Sequence, residues 1–221
     1  MLYIVATPIG NLQDISDRAK QTLREANLII AENPSYSRRL LEHFHSPGKK
    51  FAQFADHNEQ RMLPVLLEHL KSADAVLISD AGTPGVSDPG FRLVRAAIAA
   101  GIQVVPIPGP SAAITALSAS GLPTDRFIFF GFMPKTEIKL LRELQKAQDL
   151  EATAIFYESP QRILKTAQWI AKSWPDSNLV VARELTKMHE EFTRGKADAV
   201  AENLAKRAGI KGELTVLLSF K

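Results

Sequence analysis

The sequence predicts an α/β protein of two domains, the first built on a parallel sheet with flanking helices and the second on a mixed sheet. Three observations carry this reading. Up to about residue 120, short apolar runs alternate with segments of helical period, the βαβ pattern that demands a parallel sheet with right-handed crossovers. Most of these runs open at their carboxyl ends into loops of Gly, Pro, Ser, Thr and Asp, where open α/β sheets bind ligands. Further along, strand-like segments crowd together near Leu185 to Arg194, leaving no room for a crossover helix, so the second sheet is expected to be mixed. The breaker Gly121-Leu122-Pro123-Thr124-Asp125-Arg126 places the boundary, giving domains 1–121 and 122–221.

Leu2 to Ala6 reads as the first strand, running into Thr7-Pro8-Ile9-Gly10-Asn11. Ser16 is an N-cap with Asp17 in the first turn of a helix to about Ala26. Leu28 to Ala31 is a second buried strand with Glu32-Asn33 at its carboxyl end. Asn33 then caps a helix whose first residue is Pro34 and which runs to about Phe44. Lys50 to Phe54 is a weaker strand, and Leu63, Leu66, Leu67 and Leu70 mark an amphipathic helix over 59–71. Helices are expected over 91–100 and 112–120, with a strand from Ile102 to Ile107 before Pro108-Gly109-Pro110-Ser111-Ala112. In the second domain, strands are expected at 127–132, 153–157, 179–182, 192–194 and 213–220, and helices at 137–147, 161–173 and 197–208.

The most informative stretch is Val76 to Gly90, a buried run that breaks into Asp80-Ala81-Gly82-Thr83-Pro84-Gly85-Val86-Ser87-Asp88-Pro89-Gly90. Its glycines and prolines fix a compact backbone, while Asp80, Thr83, Ser87 and Asp88 offer hydrogen-bonding groups. Composition alone leaves open a plain Asx- and Pro-rich turn joining strand to helix.

With 45% apolar and 23% charged residues, the composition is that of a soluble globular chain. No apolar run is long enough for a membrane span, and no basic leader with an apolar core opens the sequence, so a cytoplasmic location is expected. Zero cysteines exclude disulfides and thiolate chemistry, and the five histidines lack metal-site spacing, so no metal is expected. Of the net charge of +3, none arises in residues 1–126, which hold 12 basic and 12 acidic side chains. The excess lies in residues 127–221, with 15 and 12, compatible with a phosphate-facing surface or with solvated helix faces.

Neither a Gly-x-Gly-x-x-Gly fingerprint nor a Gly-x-x-x-x-Gly-Lys-Ser/Thr loop is present, and Ser111 lies outside a nucleophile elbow. Small side chains, backbone groups and one or two carboxylates suit a nucleoside with a ribose and an amino-acid tail. Five segments point further: Thr7-Pro8-Ile9-Gly10-Asn11-Leu12, Ser79-Asp80-Ala81-Gly82-Thr83-Pro84-Gly85, Pro108-Gly109-Pro110-Ser111-Ala112, Phe156-Tyr157-Glu158-Ser159-Pro160 and Ala182-Arg183-Glu184-Leu185-Thr186-Lys187. Their order and spread over nearly the whole chain resemble the tetrapyrrole-methylase superfamily, and more narrowly its 16S ribosomal RNA 2′-O-ribose (cytidine) methyltransferase I branch.

The resemblance implies two α/β domains of the tetrapyrrole-methylase type, with S-adenosylmethionine in the cleft between them, a homodimer, and the small ribosomal subunit or its 16S rRNA as partner, with no membrane. Carried over by motif, the cofactor contacts would be Gly10, Asp80, Ala81, Gly82, Thr83, Pro84, Val86, Ser111 and Ala112 on one side. Tyr157, Ala182, Arg183, Glu213 and Leu214 would supply the other. Methyl transfer from a sulfonium is an in-line displacement, which alignment dominates and which a base for the ribose hydroxyl assists. Glu32, Asp80 and Arg183 are the catalytic candidates. Asp88, Glu184 and His57 are further possible bases, and Arg183, Lys187 and Arg194 are candidate phosphate contacts. One departure concerns the acceptor loop: the branch usually continues Asp-Thr-Arg where this chain has Asn33-Pro34-Ser35. Two alternatives therefore stand beside rRNA methylation: methylation of a tetrapyrrole ring carbon, and a cofactor-binding module without catalysis.

Overall fold

In the computed structural model, which describes residues 1–221, β1 (Leu2–Val5), β2 (Leu28–Ala31), β3 (Lys50–Gln53), β4 (Ala75–Ile78) and β5 (Val104–Ile107) form one sheet in the order β3-β2-β4-β1-β5. Every pairing is parallel. All four residues of β4 are buried, as a strand covered on both faces requires. Strand alternation divides the core in two. Val5, Ile29, Val76 and Ile78 pack with Ala19 and Leu23 of α1 (Asp17–Glu25) and Leu41 of α2 (Pro34–His43). Ile30, Ala75 and Leu77 face Leu66 and Leu70 of α3 (Glu59–Ser72) and Leu93 and Ala97 of α4 (Phe91–Ala99). The helix starts follow their expected chemistry: Ser16 Oγ accepts from Ala19 N at 3.1 Å, and Asn33 Oδ1 accepts from Tyr36 N at 3.3 Å, with Pro34 in the first turn.

The chain divides into two units after Ser111. The expected boundary followed Gly121, but α5 (Ala112–Ser120) packs against strands of the second sheet and so belongs with the second unit. Its sheet joins β6 (Phe127–Phe132), β7 (Thr153–Glu158), β8 (Asn178–Arg183), β9 (Glu191–Lys196) and β10 (Leu214–Ser219) in the order β6-β7-β10-β8-β9. Only the β6–β7 pair is parallel, so the sheet is mixed, as expected. α6 (Glu137–Asp149), α7 (Ile163–Ser173) and α8 (Ala197–Ala205) bury Leu140, Leu144, Ile170, Val200 and Leu204 against Phe156, Val181 and Val216. No helix is long and apolar enough to cross a membrane.

Gly90 begins α4 at φ +140°, and a Cβ there would stand 2.8 Å from Leu77 Cδ2. Gly90→Ala combines a glycine-only backbone with overpacking and is expected to cost roughly 2–4 kcal/mol in urea unfolding. Gly48 sits at φ +75° with nothing within 4 Å of its added Cβ, so Gly48→Ala is expected to cost only about 1 kcal/mol. Equal losses would contradict the tight approach of Gly90 to β4.

Candidate functional site

Because β4, β1 and β5 are neighbours, the loops leaving their carboxyl ends lie side by side. Reciprocal hydrogen bonds tie the first two: Thr7 N to Gly82 O at 2.9 Å and Gly82 N to Thr7 O at 3.0 Å. The buried Thr7 hydroxyl adds a bond to Ser79 O at 3.2 Å. Thr83 Oγ1 reaches Pro110 O at 3.1 Å, joining the third loop. At Gly109 a Cβ would lie 3.0 Å from Ala6 Cβ, so the missing side chain lets this loop lie close against the first. Gly82 and Gly85, at φ +80° and +79°, turn the chain where other residues would be strained. The result is a fixed ledge of backbone carrying Gly82, Thr83 and Pro84, with Gly10 and Val86 exposed and Ala81 and Ser111 half-buried.

Carboxylates gather beside this ledge. Glu32 directly follows β2, and Asp80 stands two residues beyond the adjacent β4. Burial raises the pKa of Glu32, and the charges of Asp80 and Asp56 raise it further. Burial likewise raises Asp80, against a hydrogen bond from the Asn33 backbone that lowers it. Asp88 is pushed up to about 6, first by burial and then by Glu32 and Asp80, while the Ser79 hydroxyl offsets part of the effect. Asp80 Oδ1 is buried with no hydrogen-bond partner. A buried acceptor left unmatched costs about 1–3 kcal/mol, so this oxygen calls for a donor or a cation. Asn33, the departure noted in the sequence, caps α2 through its side chain and serves Asp80 through its backbone.

In the second unit, Tyr157, Thr215 and Ala182 lie in register across β7, β10 and β8, and Glu158, Leu214 and Arg183 occupy the next row. Tyr157 is half-buried, Ala182 and Leu214 are buried, and Glu213 is exposed. Arg183 Nε lies 3.2 Å from Glu191 Oε2, and its Nη1 donates to Lys211 O at 3.3 Å. Hydrogen bonding from Arg207 and then Arg183 holds Glu191 below the usual carboxylate range despite its partial burial. Lys187 Nζ stands 2.8 Å from both Glu184 Oε1 and Glu213 Oε2. Burial opposes the Lys187 charge, but these two partners outweigh it and raise its pKa. Glu184, at φ +52°, bonds back to Glu213 N at 2.9 Å, linking the ends of β8 and β10. Arg194 donates to Ala119 O and Ser120 O in the last turn of α5.

The sequence-derived residues thus fall into separate groups. Glu32, Asp80 and Asp88 come together, whereas Arg183, Lys187 and Arg194 are each engaged inside the second unit, and His57 is exposed on the loop before α3. Thr7 and Ser79 were missed as site-forming residues, since their bonds reach the backbone of another loop or turn back on their own.

The family model for tetrapyrrole (corrin/porphyrin) methylases matches residues 1–201. The chain is 44% identical over 218 residues to ribosomal RNA small subunit methyltransferase I of Halalkalibacterium halodurans, covering 98% of this chain and 75% of that one. Against the protein of the same name from Thermotoga maritima it is 41% identical over 223 residues, covering 100% and 98%. Among solved structures, diphthine synthase superposes with a TM-score of 0.77 at 16% identity, over 99% of this chain and 89% of that one. A uroporphyrin-III C-methyltransferase from Thermus thermophilus, solved with S-adenosylhomocysteine, gives 0.65 at 16% identity, over 98% and 96%. These two establish likeness of fold.

The Asp88 carboxyl binds its proton more tightly in the folded chain, up to about 6 from 3.8. Its stabilising share is therefore complete below about pH 4 and is lost as pH rises through about 6. Asp88→Asn avoids that loss and, discounted for partial solvent access, is expected to be more stable than wild type by about 1 kcal/mol near pH 8, with the gap closing toward pH 4. Urea unfolding across this range checks it, and a gap independent of pH would contradict the raised value.

Proposed function

The chain belongs to the tetrapyrrole (corrin/porphyrin) methylase family, and from that membership we propose that it is an S-adenosylmethionine-dependent methyltransferase of small-subunit ribosomal RNA, acting on the 2′-hydroxyl of a cytidine ribose. The observation that carries the reading is the buried, unpartnered Asp80 Oδ1 beside the locked Thr7–Gly82 ledge, in a chain whose full-length relatives are named for rRNA methylation. The donor set fits the cofactor. Asp80 offers an acceptor for an ammonium or a ribose hydroxyl, and the glycine-bearing loops let a nucleoside approach the backbone.

When bound, S-adenosylmethionine supplies an electrophilic methyl group on a sulfonium. Gly10, Ala81, Gly82, Thr83, Pro84, Val86 and Ser111 of the first unit would hold it, with Glu32 and Asp80 meeting its positive charge and hydroxyls. The family resemblance also singles out Tyr157, Ala182, Glu213, Leu214 and Ala112 of the second unit. Arg183 acts there through its pairing with Glu191, which fixes the end of β8. Asp88 takes the proton of the attacking ribose hydroxyl, a task for which a pKa of about 6 suits neutral pH.

Methylation of a tetrapyrrole ring carbon is the less favoured reading, since the full-length relatives carry an RNA methyltransferase name. A module without catalysis is also disfavoured, because Asn33 keeps both the helix cap and the bond to Asp80. An RNA substrate assembled in the ribosome sets the reaction in the cytoplasm. A homodimer follows from the family resemblance, and Phe91 and Ile98 on α4 are exposed apolar side chains that a second copy would cover.

With tritium-labelled S-adenosylmethionine and under-methylated small subunits, label is expected in the RNA. Label in uroporphyrinogen, or in neither despite cofactor binding, would support one of the two alternatives. Asp80→Ala is expected to abolish cofactor binding in calorimetry, and unchanged affinity would remove Asp80 from the site. Asp88→Asn is expected to leave cofactor affinity in place and to lower kcat by about 100-fold or more, with loss of the rise in rate as pH passes about 6.

A further inference from the structure

Phe132 is a large aromatic side chain left 68% exposed at the carboxyl end of the edge strand β6. Strand alternation would send it to the face of Phe130, which packs into the helix-covered core. Instead the β6–β7 register shifts after Phe129, Gly131 turns at φ +64°, and Phe132 emerges on the face of Phe129 and Tyr157. The rings of Phe129 and Phe132 meet Tyr157 edge-on at 5.0 and 5.6 Å. The bulge therefore moves an aromatic ring out of a core it would have helped to fill and stands it at the rim, supported from below by two others.

The segment that follows is pinned. Arg162 donates to Pro134 O at 2.9 Å and to Met133 O at 3.3 Å, and pairs at 3.2 Å with Glu158. Glu158 is buried, and its carboxylate also accepts from Thr166 Oγ1 at 2.7 Å and Ser159 N at 2.8 Å. The Glu158 carboxylate is thereby neutralised and Glu137 faces Lys172 at 3.8 Å, while Lys135, next in the chain, is exposed and makes no ion pair or hydrogen bond. A rigidly held, exposed aromatic ring flanked by an unengaged cation matches the chemistry of single-stranded nucleic acid, whose bases stack and whose phosphates pair.

We propose that Phe132, with Lys135 beside it, is a stacking platform for an unpaired nucleobase of the RNA substrate. The ring takes the face of the base and the ammonium takes the adjacent phosphate, while Arg162 and Glu158 are positioning residues that hold the segment. This rests on the reading that the substrate is RNA, but its test does not depend on methyl transfer.

The probe is a fluorescein-labelled, unstructured RNA of about ten nucleotides, titrated with the intact chain by anisotropy at low salt. Phe132→Ala and Phe132→Leu are expected to weaken binding by about fivefold or more, because leucine keeps the apolar area but not the π-face. Phe132→Trp is expected to retain affinity and to add a tryptophan emission quenched by RNA. Lys135→Ala is expected to lower the slope of log affinity against log salt by about one. Thermal unfolding of each variant shows whether it is folded, and Phe132→Trp keeps the test open should Phe132→Ala fail to fold. The proposal is overturned if wild type does not bind the RNA, or if RNA affinity is the same in Phe132→Ala and wild type. It is equally overturned if the substitution changes only S-adenosylhomocysteine affinity, or only the sedimented mass, which would assign the ring to the cofactor or to a second copy.

Discussion

The reciprocal hydrogen bonds between Thr7 and Gly82 are the constraint on which the first unit's site depends. They form an isolated antiparallel bridge just past the parallel pairing of β1 and β4, between segments whose backbones would otherwise lack partners. Gly82 must then turn at φ +80°, which brings Thr83 to Pro110 and fixes the third loop. Asp80 lies between the end of β4 and this bridge, so its carboxylate is held in place before any ligand arrives. Orientation established by the fold in advance is the main service a protein renders to a methyl displacement.

Electrostatics gives the ledge its chemistry. Three carboxylates with raised pKa values form a region that resists full ionisation and gains from a neighbouring cation or hydroxyl donor. In the second unit Arg183 is matched to Glu191, Lys187 to Glu184 and Glu213, and Arg162 to the buried Glu158. The partly exposed pairs contribute little net stability, whereas removing Arg162 would leave the buried Glu158 charge uncompensated, which suits a segment that must hold a geometry.

Much of this was legible in the sequence because the signals were local. Ser16, Asn33 and Pro34 marked helix starts through chemistry that acts within four residues. The all-apolar Ala75–Ile78 run announced a strand buried on both faces. α5 was recognised as a helix but not assigned to its unit, because its small residues carry no clear apolar stripe and the Gly121 breaker lay beyond it. The meeting of Glu32 with Asp80 depends on β2 and β4 being sheet neighbours, an order that no single segment encodes. The same holds for the partners of Lys187 and Arg194 and for the bulge that redirects Phe132.

Hydrogen exchange of the intact chain with and without saturating S-adenosylhomocysteine tests most directly the claim that the loops after β1, β4 and β5 hold the cofactor. Slowed exchange is expected in peptides spanning 7–12, 79–90 and 108–113. Protection confined to other segments, or none at saturation, would contradict it.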